Sequence, residues 1–424
     1  MKAKLNSAVD AAAIAGGRAV SGGDIAAREA AETFFNANFP AGYLRARVTS
    51  GPTTEIWQDE DNRWHIRVTA SAEVPTYFLR IRGNNTFVAS AVSEAVKRDL
   101  DMAFVVDNTT SMSSVAEQVR DASELFIRMF SKDSDRVALI KYAFGAEVPV
   151  PIRLVSRGFL KGNAVDPCNP DVNDIDATVC GEIENFDFGG GFGGSHYTNS
   201  AEGLWNAKNQ LDNILPENRS SLRAIVFFTD GAPNTFASAF TFNYPGNPTQ
   251  VGSIRSSDGT SGTIEGLYRH DLVHQELPFP YYRGTSIASY INPFPQSYNA
   301  HGTDEYTIWP SRRGVTSGSR TYANVNRISR NLLEDMANAA REEGIYVFTL
   351  GLGSLLTDPS GPDGEEGDHI LVRMANTQQS TSDGWTNDTF NSGQPQGLYC
   401  HAATEAELGP CFNAIANMIF RLTR

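Results

Sequence analysis

The chain has 424 residues, more than one ordinary domain takes, which points to two domains carrying large insertions. Its 41% hydrophobic and 20% charged residues describe a soluble globular protein, and a formal net charge of −14 argues against nucleic acid as a partner, because neutralising phosphate takes clustered Lys and Arg. No stretch of about 18 or more apolar residues is present, so nothing in this chain crosses a bilayer as a helix.

Residues 2–40 read as helical. The alanines between Ala8 and Ala15 favour helix, Gly16 and Gly17 weaken it, and Gly22 and Gly23 punctuate it. Asp10 interrupts the alanine run, which leaves the start too polar for a signal peptide. A second amphipathic stretch sets Ile25, Ala31, Phe34 and Phe35 on one face. Over residues 43–95 the period falls to two. The segments YLRARVTS, TEIWQ, RWHIRVTASAEV, TYFLRIRG and NTFVASAVSEAV alternate, with a turn from Asp59 to Asn62. Residues 1–97 are therefore expected to form a small α+β unit, helix followed by antiparallel meander.

From residue 98 onward the pattern is different. MAFVV (102–106), VALIKYAF (137–144), AIVFF (224–228) and IYVFTL (345–350) are continuous apolar runs, as in strands buried on both faces. Helical stripes separate them: Val115, Val119, Ala122, Phe126 and Met129; Leu204, Ala207, Leu211 and Ile214; Ile328, Leu332, Met336 and Ala339. A last stripe, Leu408, Phe412, Ile415 and Ile419, closes the chain. The alternation predicts an α/β fold over 98–424, a doubly wound, mostly parallel sheet flanked by helices. Two segments, about 155–197 and 235–322, are too long for plain connections and are expected to be insertions on the ligand-binding edge of the sheet. The aromatics of the second (Phe240, Phe242, Tyr244, Phe279, Tyr281, Tyr282) suit either a small core of its own or a protein interface.

The four cysteines fall in two local pairs, Cys168 with Cys180 and Cys400 with Cys411, without metal-finger spacing. Two local disulfides in an oxidising compartment are expected; the alternative is four reduced thiols in the cytosol. The acidic run Asp171, Asp174, Asp176, Glu182, Glu184 and Asp187 departs from calcium-loop spacing and reads as a solvated loop.

MAFVV runs into Asp107-Asn108-Thr109-Thr110-Ser111, a carboxylate and two hydroxyls at alternate positions. Alone, such a D-x-T-x-S loop is more often a helix cap. AIVFF, however, ends in Thr229-Asp230-Gly231, and between the two Thr198 precedes a helix. Three loops at one sheet edge, all bearing oxygen donors, suit a hard divalent cation, Mg²⁺ first and Mn²⁺ or Ca²⁺ as alternatives.

This order resembles the metal-ion-dependent adhesion site (MIDAS) of von Willebrand factor A (vWA) domains, which are Rossmann-like. The resemblance covers about 98–424 and implies Asp107, Thr109, Ser111, Thr198 and Asp230 as the cation's ligand set. That family usually has Ser where Thr109 stands, so the hydroxyl is kept and a methyl added. A narrower resemblance, to TadE/TadG-like proteins of tight-adherence (Flp) pilus systems, rests on KLNSAVDAAAIAGGRAV, VVDNTTSM, FFTDGAPN and ATEAELGPCFNAIANMIFRLTR. It implies a cell-envelope protein, periplasmic or extracellular, with a stalk at 1–97 and an N-terminal membrane helix missing from this chain. The implied partner is a protein offering an acidic side chain, among pilus or envelope components.

Two other functions compete with adhesion. A metal-dependent hydrolase would need a base, and only His196 lies close in sequence to Thr198; HExxH, GxSxG and a phosphate-binding loop are all missing, so no catalytic residue or organic cofactor is assigned. A scaffold with a vestigial metal site is the other reading.

Overall fold

The structure, a computed structural model, describes residues 1–20, 23–60, 63–75, 86–132, 134–159, 179–188, 197–256, 261–304, 306–308, 313–379 and 390–422. Its contacts divide the chain into two units: Met1–Leu100 with Arg219–Leu222 and Ile419–Arg424, and Asp101–Asn218 with Arg223–Met418.

In the first unit α1 (Lys2–Ala19) and α2 (Asp24–Asn38) precede the antiparallel strands β1 (Arg47–Gln58), β2 (Trp64–Pro75) and β3 (Thr86–Lys97), in the order β1-β2-β3. Leu5, Ala8, Val9, Ala12, Ala27, Ala31 and Phe35 of the helices share a core with Ile66, Val68, Ala70, Ala89 and Ala91 of the strands. Small residues on both sides allow this close layering; a Cβ on Gly16 would come within 2.9 Å of Ile66 Cγ2. Tyr43–Arg45 of YLRARVTS form a 3-10 turn, and its end joins TEIWQ in one strand, β1, whose register shifts between Val48 and Thr53. TYFLRIRG lies outside the described residues.

His65 on β2 is held between two carboxylates, Nε2 2.9 Å from Asp59 and Nδ1 2.8 Å from Glu94. The hydrogen bond to Asp59, then that to Glu94, raises its pKa above the usual imidazole value despite the opposing effect of burial. A raised folded pKa adds stability that is fully present below about pH 6.5 and is lost as pH rises through the folded value. Urea midpoints measured from mildly acid to mildly alkaline pH are expected to fall more steeply for the wild type than for His65→Gln. Parallel slopes would contradict this assignment.

The second unit is built on a six-stranded sheet. Its first strand β4 (Leu100–Asp107) leads through α3 (Ala116–Ile127) to β5 (Arg136–Tyr142) and the edge strand β6 (Ala146–Val150). After α4 (Val179–Glu184), α5 (Ser200–Asp212) leads to β7 (Leu222–Thr229). The second insertion then forms a three-stranded antiparallel sheet, β8 (Thr235–Thr241), β9 (Thr249–Ser256) and β10 (Ile264–Tyr268), and a short ladder of β11 (Ser297–Tyr298) and β12 (Tyr306–Thr307). The main sheet resumes with α6 (Tyr322–Glu342), β13 (Tyr346–Leu352), α7 (Gly367–Met374), β14 (Tyr399–Ala402) and α8 (Leu408–Leu422).

Strand order is β14-β13-β7-β4-β5-β6, with β4/β5, β13/β7 and β13/β14 parallel and β5/β6 antiparallel. This is the expected doubly wound α/β fold. Every residue of β4 and β7 is buried, which is why both read as unbroken apolar runs. Phe104 meets Phe126 of α3 and Phe412 of α8, with ring centroids 5.3 and 5.8 Å away. Val105 instead shares a core with Leu204, Leu211 and Leu332 of α5 and α6. Phe240 and Phe242 join that core and Tyr244 and Tyr281 pack against it, whereas Phe279 is 79% exposed. Cys400 and Cys411 form a disulfide between β14 and α8. Cys180, buried in α4, is also disulfide-bonded; Cys168 lies outside the described residues.

Candidate metal centre

The chain leaves β4 toward one side of the sheet and returns on β7 to the other, so the carboxyl ends of these adjacent strands flank the switch point where open α/β sheets bind ligands. Asp107 is the last residue of β4, and Asp230 follows the last residue of β7. Thr198 lies two residues before α5, whose cap is Asn199.

The three loops meet. Ser111 Oγ donates to Asp230 Oδ1 at 2.8 Å and lies 2.8 Å from Thr109 Oγ1. Thr198 Oγ1 faces Gly231, where an added Cβ would stand 3.3 Å away. The Thr198 amide donates to Asn234 Oδ1 at 2.9 Å, tying the second loop to the third. Asn199 ties it to the turn after β5 through its amide on Ala143 O (2.9 Å) and its Nδ2 on Phe144 O (2.8 Å).

Asp107 is fully buried and accepts the Thr109 amide at 2.9 Å, the Thr229 hydroxyl at 2.6 Å and the Tyr142 hydroxyl at 3.4 Å. Tyr142 reaches it because α5 packs closely at Gly203, where a Cβ would fall 2.8 Å from the Tyr142 ring. Thr229, Tyr142, Asn199 and Asn234 were not legible as site residues. Thr229 alone had a signal, its place beside Asp230.

Burial pushes both carboxyls up. Asp230 rises to about 8, through burial first and the nearby Asp107 charge second. Asp107 is raised by burial, with the Thr229 and Thr109 hydrogen bonds opposing. Each of these bonds comes from a neutral hydroxyl or amide, none from a cationic side chain. Two buried acids beside two hydroxyls, with a third hydroxyl close by, fit a hard divalent cation: the donors are all oxygen, and a double positive charge would offset the repulsion.

Other candidates were also legible in the sequence or offer a separate ligand group. His196 and Asp171, Asp174 and Asp176 lie outside the described residues. Glu366, Asp368 and His369 form another potential ligand group at the start of α7. They occupy the first helical turn, where acidic residues complement the helix dipole and a cation is disfavoured.

No protein family's sequence profile matches the chain, and no curated protein sequence does. Solved structures similar to it include the pilus adhesin SpaC from Lactobacillus rhamnosus GG, 12% identical, with a TM-score of 0.41 over 89% of this chain and 35% of that one. Another is the vWF domain of the type V pili tip protein Mfa5 from Porphyromonas gingivalis, 14% identical, with a TM-score of 0.38 over 78% of this chain and 98% of that one. A third is proximal thread matrix protein 1 from the mussel byssus with a zinc-occupied MIDAS motif, 8% identical, with a TM-score of 0.34 over 76% of this chain and 48% of that one. The chain thus spans about a third of the SpaC chain (35%).

Proposed function

We propose that this protein is a vWA-type, metal-ion-dependent adhesion protein of the TadE/TadG-like kind. Its cation, Mg²⁺ by preference, is held by Thr109, Ser111, Thr198 and Asp230, with Asp107 behind them. The supporting observation is the convergence of three loops on two buried carboxylates whose hydrogen-bond donors among the described residues are neutral. When bound, the cation supplies an electrophilic position for an acidic side chain of a partner protein. The residues around it bind and orient, and the proposed role is binding rather than catalysis. A pilus or envelope setting, outside the cytoplasm, belongs to the same proposal.

Calorimetric titration with Mg²⁺ tests the metal half. Thr109→Ser, which keeps the hydroxyl, is expected to bind like the wild type, and Thr109→Val to bind at least roughly ten-fold more weakly. Retention on a glutamate-bearing surface tests the adhesion half. It should require Mg²⁺ and fail in chelator; indifference to chelation would favour the scaffold reading.

A further inference from the structure

Each of the three loops that meet at the site carries a fully buried asparagine: Asn108 between Asp107 and Thr109, Asn199 next to Thr198, and Asn234 shortly after Asp230. All three are held by the second insertion. Asn108 Nδ2 lies 3.2 Å from His274 Nε2, which is also 3.2 Å from Asp187 O. Asn199 Nδ2 donates to Ser253 Oγ at 3.1 Å. Asn234 O accepts the Ser256 amide at 2.9 Å and the Ser256 hydroxyl at 3.2 Å. The insertion also lies against the turn after β5 that Asn199 binds. Phe144 N donates to Val273 O at 3.0 Å, and Ala146 N to His270 O at 2.9 Å. The fit leaves no space for a side chain at Gly145, where a Cβ would fall 2.2 Å from His270 O. Tyr268 of β10 stacks on Phe144 at 3.9 Å, and Phe144 on Tyr197, the residue before Thr198, at 4.2 Å.

Ligands on loops bind a cation tightly only when the loops are ordered before the ion arrives; otherwise the ordering cost is subtracted from the affinity. Connecting loops are mobile unless something packed beside them fixes them. Here one segment of the chain reaches all three. We infer that the second insertion is the positioning frame of the metal centre, with His274 and Ser253 as its positioning residues. Through Asn108 and Asn199 they set where Thr109 and Thr198 present their hydroxyls. Ser256 does the same for the third loop, whose Asn234 side chain accepts the Thr198 amide. The frame rests on the metal-site reading for what it positions. Neither His274 nor Ser253 belongs to the ligand set, so each acts on the ion through a neighbouring asparagine. The insertion's length has a physical use on this reading: a plain connection after β7 could not return to the first and second loops.

The test is calorimetric titration of the full chain with Mg²⁺, paired with amide hydrogen exchange in chelator. His274→Phe keeps a ring edge-on to Phe144 and loses the Nε2 contact; Ser253→Ala removes one hydroxyl. Each should bind Mg²⁺ about five- to ten-fold more weakly, the loss expected when one buried hydrogen-bond partner is removed. His274→Gln, whose amide can serve both Asn108 Nδ2 and Asp187 O, should recover most of that loss. In chelator, residues 108–111 should exchange faster in His274→Phe than in the wild type, and residues 198–199 faster in Ser253→Ala, while β13 is unchanged. Wild-type affinity in both variants, a His274→Gln as weak as His274→Phe, or loops as protected as in the wild type would overturn the inference. Should His274→Phe fail to fold, Ser253→Ala decides the matter by the same two readouts. Failure of the metal reading looks different: the wild type would take up no Mg²⁺, while the variants would still loosen their loops in chelator.

Discussion

Asp230→Asn is expected to make the metal-free protein more stable and to abolish its stabilisation by Mg²⁺. Asp230 and Asp107 are buried together, and burial followed by the Asp107 charge lifts Asp230 to about 8. In chelator the native state therefore carries a cost that an uncharged isostere removes, and the melting temperature should rise by about 2–4 °C for each kcal/mol relieved. With Mg²⁺ the order should reverse. A wild-type protein at a metal concentration one hundred times Kd gains ~2.7 kcal/mol from ligand linkage. The variant, lacking one carboxylate of the proposed ligand set, should gain little. Thermal melts of both proteins in chelator and in excess Mg²⁺ are the measurement. A variant that loses stability in chelator and keeps its Mg²⁺ response would show that these carboxylates serve the fold and not a cation.

Glu365→Gln should be the most destabilising conservative change in the second unit. Glu365 is 2% exposed and accepts from Arg313 at 2.7 and 2.8 Å, from Arg330 at 3.3 Å and from Arg373. Burial alone would raise its pKa; the Arg313 hydrogen bond and the three guanidinium charges prevail and hold it below the usual carboxylate range. Neutralising it leaves Arg313, Arg330 and Arg373 with Glu334 as the remaining carboxylate of that group. Breaking a buried network in this way costs about 3–5 kcal/mol, a fall in melting temperature of roughly 10 °C. A lowered folded pKa means the network's contribution is present above about pH 4.3 and lost as pH falls through the folded value. Melts near neutral pH and below about pH 4.3 should therefore show the gap between wild type and variant narrowing on acidification. The network also fixes the approach to α7, where a Cβ on Gly367 would stand 3.2 Å from Ala232 Cβ, two residues after Asp230. A loss of stability under about 1 kcal/mol would mean the arginines find solvent or other partners when Glu365 is neutral.

What the chain spelled out locally was the scaffold and the places where it turns. A strand buried on both faces is apolar through its middle, so β4 and β7 announced themselves through the runs MAFVV and AIVFF. A helix against such a sheet needs one apolar stripe, as on α5, where Leu204, Ala207 and Leu211 are all buried. Asp107, Thr109 and Ser111 were readable because one loop carries them all. Thr198 and Asp230 were readable because each sits at the end of an element with a clear period. The three-dimensional arrangement alone decided the rest. Tyr142 and Thr229 reach Asp107 from 35 and 122 residues away, Arg313 meets Glu365 across 52 residues, and the aromatics of one insertion divide into buried Phe240 and exposed Phe279. Those outcomes depend on which surfaces the folded sheet brings face to face. Contacts between distant residues leave no period in the chain that makes them, and so no local pattern could announce them.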